Sequence, residues 1–62
     1  MAANKKLGNR IKQARENKNM TQEALAAIIP CSLRTLERWE KGKHMPGLIY
    51  KKRLKQILGV EI

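Results

Sequence analysis

Residues 20–46 read MTQEALAAIIPCSLRTLERWEKGKHMP, and this stretch decides the fold. Thr21 and Ser32 are both N-cap residue types, because a hydroxyl oxygen can accept from an otherwise unpaired amide in the first helical turn. After Thr21, the apolar residues Leu25, Ala26 and Ile29 recur at helical spacing; after Ser32, Leu36 and Trp39 do the same. The spacing predicts one helix over Gln22 to Ile29 and another over Leu33 to Lys41. Only Pro30 and Cys31 separate the first helix from the Ser32 cap. A connection that short makes two helices cross steeply and leaves the amino end of the second projecting.

Outward from this unit, the pattern stays helical. A helix beginning after Asn4 and running to about Asn17 would turn Leu7, Ile11 and Ala14 inward. Asn17 to Asn19 stops it, with Asn19 suited to a left-handed position because Asn tolerates positive φ better than most side chains. Gly42 fits the same conformation past the end of the third helix. A loop of Lys43, His44, Met45 and Pro46 follows. The last helix, near Leu48 to Leu58, carries Tyr50, Leu54, Ile57 and Leu58 at core spacing and stops at Gly59. No alternating run suits a strand, and no repeat or low-complexity segment interrupts the chain. The fold class is all-α: a compact bundle of four helices, or five, around a central helix-turn-helix at about residues 21–41.

At 62 residues the chain reads as a single domain over 1–62, with residues 1–4 expected to be flexible. A domain of that size buries only about 60% of its unfolded surface, too little to enclose a desolvated catalytic cavity. The sequence has no glycine-rich phosphate loop, no Cys or His pair at metal-ligand spacing, and no nucleophile beside a base. Neither enzyme activity, a metal nor a cofactor is expected. Fourteen Lys and Arg against five Asp and Glu give a net charge of +9, a field that seeks a polyanion. Charge alone admits DNA, RNA, an anionic surface or an acidic protein. The single cysteine, Cys31, cannot form an internal disulfide, and no apolar stretch reaches signal-peptide or membrane-span length, so a reducing cytoplasm is expected and a membrane partner is not. Cys31 reads as a small, half-buried turn residue in preference to a redox switch.

Several motifs fall into one register. Gln22-Glu23 opens a helix, Leu25-Ala26 follows, and then come Ser32-x-x-Thr35-Leu36-x-x-Trp39-Glu40-x-Gly42 and a trailing Pro46. Leu7-Gly8-x-Arg10-Ile11 precedes them and Leu58-Gly59-Val60 closes the chain. Together they resemble the phage repressor and Cro family, also called Xre-like, over nearly the whole sequence. The resemblance implies a lambda-repressor-like bundle whose third helix enters the major groove of double-stranded DNA. It also implies a sequence-specific transcriptional regulator, with repression by promoter occlusion as the leading mechanism and a nucleoid-associated location when DNA-bound.

The third helix would present Ser32, Leu33, Arg34, Glu37 and Arg38 to base edges, on the face away from Leu36 and Trp39. Arg34 or Arg38 can bind the O6 and N7 of guanine, a bidentate contact worth about 1–3 kcal/mol of discrimination, and Leu33 can meet a thymine methyl. Against this stands an intrahelical pairing of the arginines with Glu37, and of Glu37 with Lys41. Phosphate contacts are assigned to Gln22, which matches the family's backbone-clamping glutamine, and to Thr35, Lys41, Lys43 and His44, which otherwise form a solvated rim. The resemblance further implies a structural ion pair between Arg15 and Glu40. Trp39 reads as core, and with Tyr50 as the only other aromatic there is no stacking platform for single strands.

Three residues depart from the family pattern. Pro30 stands where the turn usually has glycine, and since proline cannot take positive φ the break must be built differently. Lys51 and Lys52 occupy positions that are more often apolar, and Ile28 is apolar where a polar residue is common. A protein-interaction module of the same fold, antitoxin-like or coactivator-like, is the competing reading, with Ala27, Ile28 and Leu33 as its patch. Nonspecific nucleic-acid binding driven by charge is a third. A monomer on one half-site would bind weakly, so a homodimer on DNA, or a fused or partner protein domain, is expected.

Overall fold

In the computed structural model, which describes residues 5–60, the Thr21 hydroxyl oxygen accepts from the Ala24 amide at 3.0 Å and the Ser32 hydroxyl oxygen from the Thr35 amide at 3.0 Å. Both capping residues are extended, and each opens the helix expected of it. The helices are α1 (Lys5–Asn17), α2 (Gln22–Ile28), α3 (Leu33–Glu40) and α4 (Leu48–Leu58), with no strand among the described residues. The periodicity overran α2 and α3 by one residue each: Ile29 and Lys41 are the C-caps, their amides still donating to Leu25 and Glu37. The expectation for residues 1–4 lies outside the described residues.

Turn chemistry follows the residue types. Asn19 takes φ 57° between α1 and α2, Gly42 takes φ 76° after α3, and Gly59 takes φ 69° after α4. No residue of the α2–α3 break takes positive φ, the Ile29–Pro30 peptide is cis, and the Cys31 amide donates to the Ala26 carbonyl at 2.8 Å. The Ile29 carbonyl, freed at the end of α2, accepts from the Arg53 guanidinium of α4 at 2.9 Å.

Helix α3 lies at the centre, packed most extensively on α1 and then on α2, while α4 closes over α1. Ile11, Leu25, Ile29, Leu36 and Leu54 are completely buried, with Leu7, Ala14, Ala26, Trp39 and Leu58 around them. The approach of α1 to α3 is close enough to require glycine. A Cβ added at Gly8 would stand 2.5 Å from the Trp39 carbonyl oxygen and 2.6 Å from that of Glu40. Tyr50 departs from its core assignment. It remains 37% exposed, its ring tilted 55° against Trp39 at 5.2 Å, so it covers the core from outside, while Ile57 is half-buried. Of the two lysines in unusual positions, Lys51 is half-buried and Lys52 exposed, which places only the first stem along the core edge.

Candidate nucleic-acid interface

The projecting face of α3 follows from its own pattern. Burying Leu36, Trp39 and Glu40 leaves the opposite side to solvent, and Ser32, Leu33, Arg34 and Arg38 are exposed there while Glu37 is half-buried. None of the internal pairings that would tie up this face is formed: Arg34, Arg38 and Lys41 make no ion pair among the described residues, and Glu37 joins neither Arg38 nor Lys41. Ser32 is the most committed of the five, since its Oγ caps α3 and also lies 2.7 Å from Thr35 Oγ1.

Behind this face a buried network sets the angle of α3. Arg15 Nε donates to Glu40 Oε2 at 2.7 Å and Arg15 Nη2 to Glu40 Oε1 at 3.2 Å, so the expected ion pair is formed. Arg15 Nη1 also donates to the Met20 carbonyl at 2.7 Å, fixing the α1–α2 turn to the same guanidinium. The Glu40 hydrogen bond, assisted by its charge, holds the Arg15 pKa above the ordinary arginine value despite burial, which opposes the shift. Gln22 enters this network as well: its Nε2 donates to Glu40 Oε1 at 3.0 Å. One N–H of its amide and its carbonyl oxygen make no other hydrogen bond among the described residues.

The remaining rim residues divide between two places. Lys41 and Lys43 are exposed beyond the end of α3. Thr35, Arg38 and His44 are brought together in an open cleft of about 280 Å³, roofed by Trp39 and Tyr50. Burial pushes the Cys31 thiol pKa up, the direction that makes a thiol inert. Among the described residues no group of three or more His, Cys, Asp or Glu could hold a metal ion, and no helix is long and apolar enough to cross a membrane.

Three features here are not legible from residue type. The Gln22–Glu40 bond and the Arg53 contact with Ile29 join residues far apart in sequence and carry no local signal. Gly8 was visible only as part of a motif, without the helix crossing that demands it.

The helix-turn-helix family pattern matches residues 11–62, and the chain belongs to that family. It is a family of DNA-binding regulators and not of enzymes. Among solved structures, the restriction-modification controller protein C.AhdI from Aeromonas hydrophila superposes with a TM-score of 0.83 at 26% identity, covering 92% of this chain and 86% of its own. A chain of the SinR protein/SinI protein complex superposes with a TM-score of 0.81 at 25% identity, covering 89% of this chain and 54% of its own. No curated protein matches the sequence.

Proposed function

We propose that this chain is a sequence-specific binder of double-stranded DNA that regulates transcription by placing α3 in the major groove. The observation that carries the reading is the uncommitted polar face of α3, with Arg34 and Arg38 exposed and unpaired over a core that holds the helix rigidly. Eight residues make a rod about 12 Å long, and a major groove about 12 Å wide admits a helix directly. Arg34 and Arg38 are the base readers, with Ser32, Leu33 and Glu37 lining the same edge.

Backbone contacts hold that helix in register. Gln22 grips one strand, its amide turned by Glu40 so that the unused N–H and carbonyl are available. Thr35, Lys41, Lys43 and His44 line the other side, and the basic cleft beneath Arg38 suits a phosphate. Occupying a promoter in this way excludes polymerase, so repression is the proposed outcome. The test compares binding to a preferred duplex and to a scrambled one, at low and near-physiological salt. A regulator keeps its preference as affinity falls; a charge-driven binder shows only the salt slope.

A second reading rests on the exposed apolar side chains Ile28 and Leu33 beside Ala27. The SinR relative is seen in complex with another protein, and a protein partner at this patch would make the domain an interaction module. Ile28→Ser separates the two, since it leaves DNA preference intact in the first reading and abolishes partner capture in the second.

A further inference from the structure

The open cleft under Arg38 is lined by two kinds of surface. Arg38 and His44 bring N–H donors to it, while Met45 and Tyr50, 41% and 37% exposed, bring apolar surface. Trp39 backs the Tyr50 ring at a centroid distance of 5.2 Å. No carboxylate lines the cleft. A DNA phosphate would use the donors and leave the thioether and the ring without an occupant.

We propose that this cleft binds a small aromatic anion, one ring carrying a carboxylate or a phosphate, and that the bound ligand displaces DNA; the displacement rests on the DNA-reading function above, the binding does not. The Arg38 guanidinium is a planar fork of donors that matches either anion, and His44 adds a further N–H. The ring packs against Tyr50 in the tilted or offset geometry that aromatic pairs favour. Size limits the occupant, because drug-sized ligands take pockets of about 300–1,000 Å³. At about 280 Å³ and open on one side, this cleft has room for about one ring. A cationic ligand would find no carboxylate there and a net charge of +9 against it.

Shared side chains make the two events exclusive. Arg38 serves both as a base reader and as the anchor of the ligand's anion, and His44 belongs to the phosphate rim and to the cleft. Thr35 lines the cleft too, and its hydroxyl lies 2.7 Å from the Ser32 Oγ that caps α3, so the site reaches the first turn of the reading helix. A ligand that binds only the DNA-free chain lowers the apparent DNA affinity by the factor 1 + [L]/Kd. Effector site and reading face are then one surface, and no conformational change is needed to connect them.

The test uses the full chain at constant ionic strength. Trp39 is its only tryptophan and lines the cleft, so its emission reports occupancy. Probes are phenyl phosphate and benzoate, with inorganic phosphate and acetate as ringless controls. Both aromatic anions should shift the emission saturably, and each control should bind about tenfold more weakly than its aromatic counterpart. Phenyl phosphate at ten times its dissociation constant should lower affinity for a preferred duplex about tenfold. Two variants keep the net charge and remove the ring site. Tyr50→Leu deletes the ring, and Gly47→Leu places a side chain in the cleft lining at a position where an added Cβ meets nothing within 4 Å. Each should keep the helicity and DNA affinity of the native chain and respond to phenyl phosphate no more than to inorganic phosphate. Equal binding of phosphate and phenyl phosphate by the native chain, or a ring preference that survives in both variants, overturns the site. Saturable aromatic binding that leaves duplex affinity unchanged overturns the displacement. Saturable aromatic binding by a chain that binds no duplex supports the site and overturns the DNA-reading function.

Discussion

The Arg15 guanidinium grips the Glu40 carboxylate through two hydrogen bonds, 2.7 and 3.2 Å long, with the residues 8% and 7% exposed. Breaking such a pair from one side strands a buried charge, which costs about 3–5 kcal/mol, whereas removing both charges is far milder. Glu40→Ala and Arg15→Ala should each strip most of the stability from a domain this small, and the double variant should lose less than the sum of the two. Urea denaturation of the three variants checks this. Because the Arg15 pKa is raised, its contribution is complete below the unfolded-state value and is lost only as pH rises through the folded one. Both lie far above neutrality, so the arginine adds no pH slope there.

Gly8 offers a case where two effects oppose. Helix propensity alone favours Gly8→Ala by about 1 kcal/mol. A methyl group 2.5 and 2.6 Å from two backbone carbonyl oxygens must instead push α1 off α3, and overpacking of that kind costs about 1–3 kcal/mol. The clash should win, lowering the unfolding midpoint. Gly47→Ala, at a position with nothing within 4 Å and an ordinary φ of −69°, should be close to neutral. Thermal unfolding of the pair separates conformational freedom from close approach.

The contrast between these glycines shows what the sequence carries. Local chemistry was legible: Thr21 and Ser32 as caps, Asn19 and Gly42 at positive φ, and the four helical periods with nearly all of the core. The Arg15–Glu40 pair was legible only through family resemblance. What escaped was tertiary. Tyr50 has core spacing, but Leu54 and Leu58 already fill the buried face of α4, so its ring rests on Trp39 from outside. Gln22 reads as a free clamp in sequence and is tethered to Glu40 in space. The candidate bases and phosphates it would meet lie outside what a single chain encodes.

Cys31 should react with a thiol reagent more slowly in the folded protein than in urea, since partial burial raises its pKa. The linked stability is fully present below the unfolded thiol value of about 8.5 and is lost as pH rises through the higher folded value. Cys31→Ser should flatten that alkaline decline, and denaturation midpoints measured from neutral to alkaline pH follow it.

Arg34 and Lys43 should fail in different ways. Arg34→Ala should cost about 1–3 kcal/mol on the preferred site and relax preference at one base position. Lys43→Ala should weaken all sequences alike and reduce the salt slope by about 1. Binding isotherms at several salt concentrations, on preferred and scrambled duplexes, distinguish a reader from a phosphate contact.

The most direct measurement is selection of binding sites from a randomised duplex library at near-physiological salt, carried out in parallel with the native chain and Arg34→Ala. A short motif recovered by the native chain, with one base position degenerate in the variant, is the predicted result. No enrichment, or the same motif recovered undiminished by the variant, would contradict the assignment of α3 as the reading helix.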